Sequence, residues 1–133
     1  MVDVWWAATS LETGRFSGVD VRSDVDELRH RFDELRSRGR GYLEVRRNEH
    51  APYPAVLLGF QDEQAVLHLH RDETRMSLLL GDRARTSAVV DVLVMDDVVE
   101  FSAAFALTLD DAWSVVDAFA AGDAMDGHEW DDL

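Results

Sequence analysis

The sequence predicts an α+β domain: an antiparallel meander sheet of about six or seven strands with two helices packed on one face. Two apolar stripes at helical spacing, each opened by a capping residue, supply the helices. Between and around them, short apolar or alternating segments separated by hairpin-length turns supply the strands. Length sets the scale, because a chain of 133 residues is near the usual size of one domain and buries roughly two-thirds of its unfolded surface. A single domain over residues 1–133 is expected.

Met1 to Thr9 alternates loosely around Val2, Val4, Trp5 and Trp6 and reads as a first strand, in which Trp5 and Trp6 must face opposite sides. Ser23 with Asp26 has the spacing of a capping box, and Val25, Leu28, Phe32 and Leu35 follow at helical intervals. These predict a helix from Asp24 to Arg38, closed by Gly39 and Gly41, with Arg36, Arg38 and Arg40 complementing its negative end. Strands are then expected at Tyr42 to Arg47, Ala55 to Phe60, Ala65 to His70, Met76 to Leu80, Ala88 to Met95 and Val98 to Phe105, with turns near Asp72, Gly81 and Asp96. Thr108 with Asp111 repeats the capping signature, and Ala112, Val115, Val116 and Phe119 form the stripe of a second helix ending at Gly122. The tail from Gly127 to Leu133 is expected to add a last short strand. One sheet covered by two helices is the simplest layered solution for these parts.

Charge is unevenly placed. Met1 to Val90 holds 15 acids against 13 arginines, whereas Asp91 to Leu133 holds 12 acids and no base; there is no lysine anywhere. Like charges confined to one third of a small fold repel one another, and a surface that steers a basic partner would offset that cost through faster association. A net charge of −14 also argues against nucleic acid or an anionic membrane as ligand, since phosphate contacts need cations in a favourable field. The partner to expect is a basic protein. The opening residues lack a basic segment followed by an apolar run, and nowhere do 18 apolar residues follow one another, so a cytoplasmic address is expected.

Catalytic chemistry finds no address in the pattern, and no enzyme or cofactor is expected. There is no cysteine, no nucleophile elbow, and no glycine spacing of a phosphate-binding loop. His68 and His70 lie two apart in an expected strand, on one face and roughly 6.5–7 Å apart, so with His50 they form the one candidate metal or ligand site. The simpler reading makes them the polar face of an amphipathic strand. Adjacent acids such as Asp96 with Asp97, or Asp110 with Asp111, point in different directions and do not form acid and base pairs.

The order of parts resembles a known family. The stretches Val2 to Ala8, the helix after Ser23, Ala55 to His70, and Leu109 to Gly122 leading to Trp130 are similar to the first-numbered immunity-protein family of bacterial polymorphic toxin systems, over almost the whole chain. The resemblance implies a cytoplasmic antitoxin that binds a cognate toxin domain, often a nucleic-acid deaminase or nuclease. Together with the charge it assigns toxin contacts to Asp96, Asp97, Glu100, Asp110, Asp111, Asp117, Glu129, Trp130 and Asp131, expected on one continuous acidic surface of a monomer. An acidic secretion chaperone, which would be a dimer, is the alternative binding function.

Overall fold

Asp24, not Ser23, opens the first helix. In the computed structural model, which describes residues 3–133, the Asp24 carboxylate accepts a hydrogen bond from the Glu27 amide at 2.9 Å, and the helix α1 runs Val25–Ser37. Ser23 is instead turned inward, where its hydroxyl accepts from the Trp6 indole at 2.8 Å. The reason is the strand before the helix. Ser23 belongs to β2 (Phe16–Asp24), which lies antiparallel to β1 (Asp3–Thr9), so its side chain is committed to the sheet's helix-covered side. Met1 and Val2 of the expected first strand lie outside the described residues.

Beyond α1 the expected meander forms: β3 (Arg40–Arg46), β4 (Ala55–Gln61), β5 (Gln64–His70) and β6 (Met76–Leu79) pair in succession, each antiparallel to the last. The sequence then makes β7 (Val89–Val94), β8 (Asp97–Ser102), a 3-10 turn at Ala103–Phe105, β9 (Leu107–Thr108), α2 (Leu109–Ala120) and β10 (Trp130–Asp132). The large sheet has the order β10-β6-β5-β4-β3-β1-β2, with β9 against the start of β5. β10 lies antiparallel to β6, so the tail strand closes one edge of the sheet.

The expected single sheet is corrected in one respect. β7 and β8 leave it and form a separate two-stranded hairpin. Strand alternation explains where this hairpin goes. Ala65, Leu67 and Leu69 of β5 join the core beneath both helices, so Val66, His68 and His70 face the opposite side. There Val66 and Leu78 pack against Val90, Val92 and Ala103, and the hairpin roofs them. Gly59 makes the approach possible: a Cβ at that position would sit 2.2 Å from the Leu93 carbonyl oxygen. The far end of the excursion closes at Gly81, whose amide donates to the Ala104 carbonyl at 2.8 Å.

The helix-covered face holds the main core. Phe32 stacks on Trp113 with ring centroids 5.2 Å apart and meets Phe60 edge-on at 5.6 Å, joining α1, α2 and β4 in one aromatic cluster. Both helices therefore lie on one face, as the amphipathic stripes require. Trp6 is buried there, and Trp5, on the other side of β1, is half-buried with the Arg22 guanidinium 5.5 Å from its ring. None of the helices among the described residues is long and apolar enough to cross a membrane.

Candidate protein-binding surface

The nine expected contact residues fall into three groups, and the continuous acidic surface is not formed. Asp96, Asp97 and Glu100 lie on the hairpin, on one side of the large sheet; Asp110, Asp111 and Asp117 lie on α2, on the other side; Glu129, Trp130 and Asp131 lie at the β10 edge. The separation follows from β5, whose alternate residues pack under α2 and under the hairpin.

Within the α2 group, Thr108 caps the helix by accepting from the Asp111 amide at 3.1 Å, and Asp110 and Asp111 stand in the first turn, where negative charge meets the positive end of the dipole. Asp110 also accepts from Arg36 at 2.8 Å, and Arg36 reaches Glu63 at 3.1 Å with its other nitrogen. The hydrogen bond from Arg36 holds the Asp110 carboxyl below its ordinary range. The opposite end of α2 has no base in its last turn, and Arg47 supplies one from the β3 to β4 connection, donating to the carbonyls of Phe119 at 3.0 Å and Asp123 at 2.7 Å. Arg36 thus neutralises one acid of the last third from across the fold, and Arg47 complements the negative end of α2.

The β10 group is partly neutralised in the same way. Arg83 donates to Glu129 from Nε at 2.8 Å, and that hydrogen bond lowers the Glu129 carboxyl below its usual range. Trp130 is half-buried: its indole N–H donates to the Met125 carbonyl at 2.8 Å, and its ring packs against the main core. Its first role is to hold the last strand. Between this segment, α2 and the end of β6 opens a cleft of about 610 Å³ that Asp111, Ser114 and Glu129 share with Arg85 and His128, so its charge is mixed.

The hairpin is different. Asp96 is engaged, accepting from the Phe16 amide at 2.7 Å and tying the hairpin tip to the start of β2. Asp97, Glu100 and a residue the sequence reading did not single out, Asp91, make no ion pair or side-chain hydrogen bond among the described residues. Asp91 stands directly opposite Glu100 in the register, two carboxylates side by side with no base between them. Three of the five exposed large apolar side chains among the described residues, Val89, Met95 and Val98, are on this same element. The turn residues Met95 and Asp96 were the available signal, since a two-residue turn fixes the register and with it the pairing of Asp91 and Glu100.

The alternative histidine site is not assembled. His50 sits in an exposed loop with Glu49 3.7 Å away, His70 packs edge-on against Tyr53 at 4.6 Å, and His68 packs edge-on against Phe101 of β8 at 5.6 Å. No group of three or more metal-ligating side chains occurs among the described residues. Burial, with His70 adding a smaller effect, pushes His68 below the ordinary histidine value and favours its neutral form.

Comparison with protein-family models, curated proteins and solved structures finds no match to this chain.

Proposed function

We propose that this chain is an immunity protein that binds a basic toxin domain, one acting on nucleic acid as a deaminase or nuclease, and neutralises it by occupying a surface meant for phosphates. One observation carries the reading. Of the 12 acids from Asp91 onward, five (Asp96, Asp110, Asp123, Glu129 and Asp132) have hydrogen-bonding partners for their carboxylates, and seven (Asp91, Asp97, Glu100, Asp111, Asp117, Asp126 and Asp131) have none among the described residues. Seven carboxylates without a partner, in the one third of the chain that has no base of its own, are what a surface completed by a basic partner would hold. The resemblance in the order of parts, from the aromatic first strand to Trp130, points to the same class.

The division of these acids among the hairpin, α2 and the β10 edge refines the proposal: a partner engages one group at a time, and the hairpin group is the one flanked by exposed apolar side chains. The test is to purify the chain with the small terminal domain of a secreted protein encoded beside its gene, and to titrate that domain's nuclease or deaminase activity. Stoichiometric inhibition is expected. Full activity in the presence of excess chain, or a gene neighbourhood with no such domain, overturns the reading.

A further inference from the structure

Strand edges are where one chain can extend another, because their outward N–H and C=O groups have no partner. The large sheet ends in β2 and β10. β2 is interrupted: its register against β1 jumps between Val21 and Ser17, so residues bulge out of the ladder. β10 is only three residues long. A bulge and a short length are the usual ways of keeping an edge from pairing.

β8 has neither protection. It is six residues long, its register with β7 runs unbroken from Val89 opposite Ser102 to Val94 opposite Asp97, and it contains no proline or lysine. The backbone direction is fixed by the turn. Met95 and Asp96 form a two-residue connection, so Val94 and Asp97 are a hydrogen-bonded pair, and the alternation makes Val98 and Glu100 residues that turn their N–H and C=O groups away from β7. Two distances confirm the phase. The Ala103 amide donates to the Ala88 carbonyl at 2.9 Å, which is the hydrogen-bonded parity at the other end, and Leu93, opposite Val98, directs its carbonyl outward at Gly59. β7 thus gives its outer edge to the large sheet, while Val98, 51% exposed, and Glu100 lie open on β8.

We propose that β8 accepts an extended segment of the toxin domain as a third strand of the small sheet, and that this segment places an arginine or lysine beside Glu100 and an apolar residue beside Val98. The charge argues for it: Asp91 and Glu100 oppose each other, and no base lies on either strand. A cation on the added strand relieves that repulsion, main-chain hydrogen bonds supply affinity, and alternate side chains supply specificity. The inference rests on the immunity reading and names the surface through which it works.

The experiment uses the whole chain and the basic domain encoded beside its gene. Amide hydrogen exchange is followed in the free chain and in the complex, and Val98→Pro, Glu100→Arg and the control Val19→Pro in β2 are compared for binding and for thermal unfolding. Val98→Pro removes an outward amide without removing a bond to β7. Expected are exchange at Val98 and Glu100 slowed by about tenfold or more in the complex, binding weakened by at least about tenfold in Val98→Pro, association slowed by about tenfold in Glu100→Arg, and no change in Val19→Pro. Should Val98→Pro unfold, exchange and Glu100→Arg still decide the matter. A wild-type complex in which the two amides exchange as in the free chain, or in which both β8 variants bind as the wild type does, overturns β8 as the docking edge and leaves the immunity reading standing. Failure of the wild-type chain to bind that domain overturns the immunity reading itself.

Discussion

The two faces of the large sheet are covered in contrasting ways. On one, α1 and α2 bury Phe32, Phe60, Trp113 and Phe119 in a continuous core, and part of the charge above them is paired, Asp33 with Arg29 and Asp110 with Arg36. On the other, a single hairpin covers a cluster whose fully formed part is Val66, Leu78, Val90, Val92 and Ala103, and its acids have no base. The first face has the features of a surface selected for stability, with large rings interlocked and ion pairs from Arg29 and Arg36 on its helices. The second keeps a like-charge pair and exposed valines that stability alone would remove. The contrast separates an interlocked aromatic face from one that keeps a like-charge pair beside exposed apolar side chains.

Substitutions on the two faces should therefore behave differently. The largest loss is expected from Phe32→Ala, which empties the junction of α1, α2 and β4 and should cost about 3–5 kcal/mol in denaturant unfolding. A loss under about 1 kcal/mol would mean the helices are not locked by that ring cluster. Gly59→Ala is expected to be costly for a different reason, since its new methyl group meets the Leu93 carbonyl and must push the hairpin away; about 1–3 kcal/mol is expected. Amide exchange should localise that damage to β7 and leave α1 unaffected, and uniform loss of protection would erase the distinction between the faces.

Acid should act on the hairpin side through His68, which packs beneath Phe101. Its proton affinity in the fold is lowered from the ordinary 6.5, so the unfolded chain binds the proton more readily. The stability this contributes is complete above pH 6.5 and is lost as the pH falls through the folded-state value. His68→Gln should flatten the dependence of the urea midpoint between neutral pH and about pH 5, and an unchanged slope would place the dependence elsewhere. The smallest effect should carry the opposite sign. Glu100→Arg removes a cross-strand repulsion and is expected to stabilise the free chain by up to about 0.5 kcal/mol while weakening its complex. A destabilised free protein would show that Asp91 and Glu100 do not oppose each other as the register implies.

Much of this was readable in advance where local rules act alone. Thr108 caps α2 as its spacing predicts, the stripe from Leu28 through Phe32 to Leu35 is buried, and the alternation of Ala65, Leu67 and Leu69 gives β5 its core face. β2 escaped because Ser17, Gly18 and Asp20 break any alternation, and an edge strand is held by its neighbour more than by its own side chains. The candidate surface was readable only as a composition. Twelve acids without a base looked like one patch, but Arg36, Arg47 and Arg83 come from earlier in the chain to meet that third, and no spacing in the sequence announces those pairings.

The sequence by itself determined both helices and most of the strands, that the chain is acidic, and that the excess lies in its last third, because propensity, periodicity and charge are properties of neighbours along the chain. Only the tertiary structure decided which of those acids stay uncompensated. Docking β7 against Gly59 put the hairpin on the face away from the arginines of α1, and a charge is neutralised by what lies near it in space, whatever its distance along the chain.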